Sequence, residues 1–425
     1  MKEKKMVKVT ESIVRLNDVH SIGVIGDPGC EGLGMYNMKV YAGALEESSA
    51  DDITLIVGDL VPIGTEYYYQ MIQEITEILA GNSVYSLRGN HDTGAYDSYF
   101  GKKNYALLAD HFAVVVLDNA ERTFEEEGLL LLADVLARED VSQAVIAFHI
   151  PVPNHFILNS VSNEEYHRLQ KAYQPWKEKV KYLLCGHVHS RFVDTVDGIP
   201  LICTGGGGAM IEDVSKEIRA CDVEHHIVHF YEKDGNLTYQ IANLSEDCYR
   251  REREDKILKQ RLEETVQGEL LAHFKYLMFA DRAKRRGMNQ IANLFQALAA
   301  SEYYHARNFY AVLESPTSFL DSVGTYLPGE EFEYQHFYKM LAEYAQKQQS
   351  PLAKYAYTGA AAAERVHASL LKQAEDMEAW KEKTIYVCQV CGYLMTEEEV
   401  SERCPVCGGP KRQYQVFEES EKRSE

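Results

Sequence analysis

Beyond Tyr249 the sequence changes texture, and that break limits the fold more than any other feature. Before it, short apolar runs alternate with longer amphipathic stretches: SIGVIGD, DITLIVGD, SVYSLRGNHD, FAVVVLD, AVIAFHIP, KYLLCGHVH and IPLICTGGGG. Several are nearly continuous in apolar and β-branched residues, as expected of strands covered on both faces. HHIVHFYEKDGNLTYQIAN then reads as a hairpin turning at Asp234-Gly235. After the break, the charged stretch YRREREDKILKQRLEE carries no strand pattern, and helical periodicity follows to about Asp376. A short segment rich in cysteine and turns comes last, too small for a core without a metal. A chain of 425 residues exceeds a single core. The expected organisation is multidomain: an α/β sandwich over 1–248, a charged linker over 249–261, a four-helix bundle over 262–378 and a metal ribbon over 383–418.

Charge narrows the partners. Lys and Arg number 44 against 65 Asp and Glu, a formal net charge of −21. Such a chain repels long nucleic acids and anionic membranes, so a phosphate substrate requires metal ions to supply local positive charge. No apolar run approaches the ~18 residues of a membrane span. The start, MKEKKMVKVTES, lacks the apolar core of a signal peptide. Nine cysteines, four of them in two CxxC pairs, suit metal binding in a reducing compartment better than a disulfide framework. A cytoplasmic location is expected.

The two CxxC pairs are Cys388-Gln-Val-Cys391-Gly and Cys404-Pro-Val-Cys407-Gly. Each sets two thiolates on a tight turn, and the following glycine lets backbone amides point at the sulfurs. Four thiolates so placed form a tetrahedral site, and zinc and a single iron both satisfy it.

Four helices are expected in the middle region: Leu262 to Lys284, Asn289 to Leu313, one containing GEEFEYQHFYKMLAEYAQ, and Pro351 to Asp376. Pro328 leaves two starts open for the third, at the proline or near Ser318. Helix two carries Glu302-x-x-His305 and helix four Glu364-x-x-His367; helix one offers Glu269, and helix three Glu330 and Glu333. An i, i+3 spacing puts each pair on one face. Glutamate is also a strong helix former, and Glu263, Glu264, Glu331 and Glu343 read as solvated surface. Glu302 and Glu364 differ because small apolar residues flank them, so their carboxylates are expected to be buried and to need partners. One Glu from each of two helices plus Glu-x-x-His from two others is the ligand set of ferritin-like di-iron bundles.

The words YVCQVCGY, CPVCG, GELLAHFKYLMFADRAKRRG and GE-x-x-E resemble rubrerythrins, over roughly Leu262 to Phe417. The resemblance favours iron in the ribbon, as a one-electron relay. It implies a di-iron centre in which one iron takes Glu269, Glu302, His305 and Glu364. The other takes Glu330, Glu333, Glu302, Glu364 and His367, or a redox-dependent subset. It further implies reduction of hydrogen peroxide to water, a flavin-dependent NAD(P)H reductase or rubredoxin-type electron donor, and a homodimer.

The strand ends of the first region carry a second constellation: Gly-Asp27, Gly-Asp59, Gly-Asn90-His91-Asp92, His149 and Gly-His187-Val-His189. Such residues fall beyond the carboxyl ends of strands, where α/β sites form. Together they can bind two cations that activate a water and clamp a phosphoryl group. Lone histidines such as His111 and His155 read as structural or surface residues. The ordered set resembles the calcineurin-like metallophosphoesterases over about Ser21 to Asn243. That resemblance implies that Asp59 bridges the metals, that Asn90, His149 and His187 hold one, and that Asp27 and His189 hold the other. His91 would protonate the leaving group, oriented by Asp92. One or two divalent ions (iron, manganese or zinc) and a small phosphoester substrate follow. Most of that family has Asp-x-His in the first motif, whereas this chain has Asp27-Pro28-Gly29. Purple acid phosphatases share Asp-x-Gly but add a Tyr where this chain has Pro62. The first ion is thus short of ligands, and Cys30 reads as a bystander. The glycine run 205–208 suits either a phosphate approach or a plain loop.

The function expected is a rubrerythrin-type peroxidase fused to a metal-dependent phosphoesterase. The alternative is a phosphoesterase whose hydrolysis is gated by the redox state of the other module. A non-catalytic role, iron storage or a zinc-ribbon interaction module, ranks below both.

Overall fold

A computed structural model describes residues 5–29, 35–110, 112–244, 254–313, 319–374 and 384–418. Cys30 and His111 lie outside these residues. The chain divides into two compact units, Met1–Pro316 and Thr317–Glu425.

The first unit opens with an α/β sandwich. Strands β2 (Ser21–Ile25), β3 (Ile53–Ile56) and β4 (Ser83–Ser86) lie parallel, joined by helices α1 (Met35–Ser48) and α2 (Glu66–Leu79), and the short helix α3 (Tyr96–Phe100) follows β4. Thr65 starts α2 by accepting a hydrogen bond from the Tyr68 amide. The hairpin of β11 (His226–Lys233) and β12 (Asn236–Asn243) completes this five-stranded sheet, in the order β12-β11-β2-β3-β4. Its turn is Asp234-Gly235, at φ 53° and 75°, the left-handed pair that a two-residue hairpin needs.

The second sheet holds β1 (Ile13–Arg15), β5 (Tyr105–Leu108), β6 (Ala113–Val116), β7 (Ala144–Ala147), β8 (Val180–Cys185), β9 (Arg191–Val196) and β10 (Ile199–Thr204). Their order is β1-β5-β6-β7-β8-β10-β9, with β6, β7, β8 and β10 parallel. All seven apolar runs became strands. The short edge strand β1 and strands β5 and β9, each paired antiparallel to one of the apolar runs, lacked that continuous signature.

The sheets face each other. Val24, Leu55, Val228 and Phe230 of one pack with Val114, Val145, Leu184 and Ile202 of the other. Helices α4 (Glu126–Ala137) and α5 (Asn163–Tyr173) cover the outer face of the larger sheet, while α1 and α2 cover that of the smaller. Strands covered on both faces explain the unbroken apolar runs, and each fully buried Leu, Ile or Val stabilises by about 1.5–3 kcal/mol.

A helical hairpin ends this unit: α6 (Lys256–Arg285), capped by Asp255, and α7 (Asn289–Leu313). Gly287, at φ 73°, turns the chain between them. In the second unit α8 (Phe319–Phe332) runs through Pro328. A π-turn follows at Glu333–Phe337, then α9 (Tyr338–Lys347) and α10 (Pro351–Ala374). The third helix therefore starts upstream of its proline, and its winding slips one turn later, at the glutamate singled out from sequence. The ribbon pairs β13 (Ile385–Cys388) with β14 (Leu394–Thr396) and β15 (Tyr414–Phe417). No described helix is long and apolar enough to cross a membrane.

Candidate metal centres

The sandwich delivers its polar residues from strand ends. Asp27, Asp59 and Asn90 follow β2, β3 and β4, while His149 and the pair His187 and His189 follow β7 and β8. The structure gathers Asp59, His149 and His187 into one trio and Asp27, Asp59 and His189 into another, so Asp59 belongs to both. Asp27, Asp59 and His187 hold left-handed backbones at φ 51°, 50° and 71°. Non-glycine residues there are strained, and such strain concentrates at functional sites. The preceding glycines leave room: a Cβ on Gly58 would lie 2.3 Å from His149 Nδ1, and one on Gly186 2.5 Å from Asp27 Oδ2.

The His149 imidazole is aimed by its other nitrogen. His149 Nδ1 donates to the Val57 carbonyl at 2.9 Å, and its Nε2 stands 3.1 Å from both Asp59 Oδ2 and Asn90 Oδ1. Asn119 fixes this segment by accepting from the His149 and Ile150 amides, both at 3.0 Å. His187 has both ring nitrogens buried without a hydrogen-bond partner, and its amide donates to Asp27. Such an orphaned imidazole fits a metal ligand.

Electrostatics agree. Burial, with the charge of Asp59, pushes Asp27 up to about 7. Burial alone would lower His149, but the Asp59 and Asp27 carboxylates outweigh it and raise it to about 10. Burial and the charge of His149 lower His187 to about 3. Among two buried carboxylates and three histidines, Asp27 and His149 hold protons where a cation would replace them. The set therefore fits a pair of divalent ions.

His91 departs from the expected arrangement. Its Nδ1 donates to the Pro62 carbonyl at 2.9 Å, and its amide to Asp59 Oδ1 at 2.8 Å. Asp92 does not orient the ring: its carboxylate accepts from the Gly89 and Val61 amides and pins the loop instead. Burial raises this carboxyl to about 8. The glycine run also resolves. Gly207 donates to the Gly26 carbonyl and Ala209 to that of Asp27, so the run is close-packed backbone beneath the first ligand loop. His155 pairs with Asp194 at the surface.

In the helical hairpin, Glu269, Glu302 and His305 come together. His305 Nδ1 lies 3.0 Å from Glu302 and 3.8 Å from Glu269. The hydrogen bond between the two carboxyls holds Glu269 above its usual range. In the second unit Glu330, Glu364 and His367 form the matching trio, with His367 Nδ1 2.6 Å from Glu364 and 3.2 Å from Glu330. Burial and the Glu330 carboxyl raise Glu364 to about 7. Oxygen-rich trios with one imidazole suit iron. The expected deep burial is only partial, since the Glu302 and Glu364 side chains are 20% and 15% exposed. Small neighbours such as Ala299 and Ala363 are buried, while the larger Tyr303 and Tyr304 remain exposed. Glu333 lies outside the trio and meets the Tyr338 hydroxyl, which it holds above its usual range after burial.

In the ribbon the four sulfurs converge, with Cys388–Cys407 and Cys391–Cys404 both at 3.6 Å. A disulfide would need ~2.05 Å, whereas four sulfurs at ~2.3 Å from one metal lie about 3.8 Å apart. Gly392 and Gly408 adopt φ 78° and 71°, and the Gly409 amide donates to Cys407 Sγ. The cysteines fit a single tetrahedral ion.

Sequence reading passed over the Val57 and Pro62 carbonyls, Asn119, Tyr338 and Glu212, whose carboxylate stands 3.5 Å from His189 Nδ1. A backbone carbonyl leaves no residue-type signal, and Glu212 lies too far along the chain from His189 to be read as a motif.

The calcineurin-like phosphoesterase family model matches residues 16–191, rubrerythrin residues 260–327, and the rubredoxin-like domain of rubrerythrin residues 386–415. Rubrerythrin-2 of Clostridium acetobutylicum is 32% identical across 35% of this chain and 91% of its own length. Nigerythrin of Nitratidesulfovibrio vulgaris is 32% identical across 37% of this chain and 85% of its own. Among solved structures, a purple acid phosphatase from yellow lupin seeds aligns over 55% of this chain and 53% of its own, with a TM-score of 0.44 and 15% identity. The chain belongs to the rubrerythrin family and carries a calcineurin-like phosphoesterase domain ahead of its rubrerythrin and rubredoxin-like parts.

Proposed function

We propose that this chain reduces hydrogen peroxide to water at the helical carboxylate sites and hydrolyses a small phosphoester at the sandwich site. The observation that carries the first activity is the pair of carboxylate–imidazole trios in one chain with a four-cysteine ribbon. Iron held by the trios would supply the two electrons that peroxide needs, and iron in the ribbon would replace them one at a time. Two protons must arrive from solvent as well. Glu364, raised to about 7 by burial and the Glu330 carboxyl, holds a proton that a bound cation would replace. The amide that points at Cys407 stabilises added negative charge on the sulfurs and favours the reduced ribbon.

At the sandwich site, paired divalent ions would activate a water and neutralise the phosphoryl oxygens. Asp59, which belongs to both trios, would serve both ions, and Asn90, His149 and His187 would complete one side. His91, held through Nδ1 by Pro62, keeps Nε2 for the leaving oxygen. The net charge of −21 favours a small substrate over a polyanion. An NAD(P)H-dependent flavin reductase or a rubredoxin-type protein is the proposed electron donor, the homodimer the proposed assembly and the cytoplasm the proposed location.

Peroxide consumption tests the main activity. Anaerobically reduced, iron-loaded chain should remove peroxide in proportion to the reductant supplied. Unchanged peroxide with both iron sites filled would refute it.

A further inference from the structure

The phosphoesterase site is unequal. The side with His149 and His187 also has Asn90, whereas among the described residues the other has only Asp27, Asp59 and His189, because Gly29 stands where a histidine would complete the first motif. Whatever steadies His189 therefore matters more than usual.

His189 is nearly buried, and its Nδ1 has no good hydrogen-bond partner. The polar group it meets is the Glu212 carboxylate at 3.5 Å, long for a hydrogen bond. The two residues are already tied through their backbones, since the Glu212 amide donates to the His189 carbonyl at 2.8 Å. That tie fixes the Glu212 backbone beside the ring, and its half-exposed side chain has freedom to close the remaining gap. Glu212 does not join the cluster of Asp27, Asp59 and His189, so it is no ligand itself. It stands beside the imidazole, outside the trio.

We infer that Glu212 is a positioning residue for the ligand-poor ion: it accepts the Nδ1 proton of His189, fixes the ring and commits Nε2 to the metal. Val57 performs the same task for His149 through a neutral carbonyl. A carboxylate does more, because it raises the basicity of the ligating nitrogen. In this chain it offsets part of what the missing histidine takes away. The inference rests on the two-metal reading of the site.

The test is Mn2+ titration of the metal-stripped full chain. Asp27→Asn identifies the ion in question as the binding event that it removes. Glu212→Ala should weaken that event about 10- to 100-fold, the usual effect of losing such a partner, while the other events keep their affinities. Glu212→Gln, which retains an acceptor, should fall between. The melting temperature of the stripped protein should not move, because Glu212 is half-exposed. An Asp27-dependent ion bound equally well by wild type and Glu212→Ala overturns the inference and leaves the two-metal reading intact. Absence of any Asp27-dependent ion in the wild type overturns both.

Discussion

His149 Nε2 stands 3.1 Å from Asp59 Oδ2 while its Nδ1 donates to the Val57 carbonyl. One ring thus links the two sheets, because Asp59 and Val57 follow β3 and His149 follows β7. The contact ties the site to the sandwich core, and a change there should be felt in both stability and hydrolysis.

Gly58 shows how little room this link leaves. Its φ is 94°, and a Cβ would reach 2.3 Å from the His149 ring. Gly235 also has a positive φ, 75°, but nothing lies within 4 Å of its Cβ position. Left-handed strain costs of order 1–3 kcal/mol in either place, and Gly58→Ala adds a collision. Gly58→Ala should therefore destabilise by at least ~1 kcal/mol more than Gly235→Ala in urea unfolding, and hydrolysis should be lost only in the former. Equal costs would contradict the close packing.

Metal-free chain should become less stable as pH rises from 6.5 to 8. Asp27 and Asp92, raised to about 7 and 8 from 3.8, keep protons in the folded state that the unfolded chain has already released. The folded state binds more protons through this window, so stability falls with pH. His149, raised from 6.5 to about 10, acts in the same direction, its contribution lost as pH climbs through the folded value. His187, lowered to about 3, opposes them only below its ordinary 6.5. Divalent ions would replace the protons on Asp27 and His149. The rise in melting temperature on adding Mn2+ should be larger at pH 8 than at pH 6.5, and thermal scans with and without chelator would show it. An equal or smaller rise at pH 8 would count against the site.

His91 acts on the leaving group in this account, so its value depends on how much help that group needs. His91→Ala should slow hydrolysis of an alkyl phosphoester by about a hundred- to ten-thousandfold. An ester of p-nitrophenol, which departs without a proton, should lose far less. Asp92→Asn should affect both esters alike, because Asp92 holds the Gly89 and Val61 amides and not the imidazole.

Cys404→Ser should remove one metal equivalent per chain and expose residues 384–418 to protease, because the ribbon's three short strands make little core of their own. Metal content and limited proteolysis measure the two effects. An unchanged metal count would contradict the convergence of the four sulfurs.

Much of this was legible because the chemistry repeats in short words. Glycine before Asp27, Asp59, Asn90 and His187 marked the strand ends, and Glu-x-x-His marked both carboxylate helices. The two CxxC pairs needed no context at all. The partners that aim the ligands were invisible, because Val57 and Pro62 contribute only carbonyls and Glu212 meets His189 through folding. Burial was misjudged for a related reason. Alanines around Glu302 and Glu364 do pack inward, but a neighbouring sequence of small residues does not say how much of a long carboxylate side chain they cover.

The most direct test is anaerobic. The chain is loaded with iron, reduced, mixed with peroxide, and the visible band of the oxidised ribbon iron is followed. The account predicts a rapid return of that band in the wild type and its loss in Glu302→Ala, whose carboxylate lies 3.0 Å from His305. A slow return, indifferent to that substitution, would contradict peroxide reduction at the carboxylate sites.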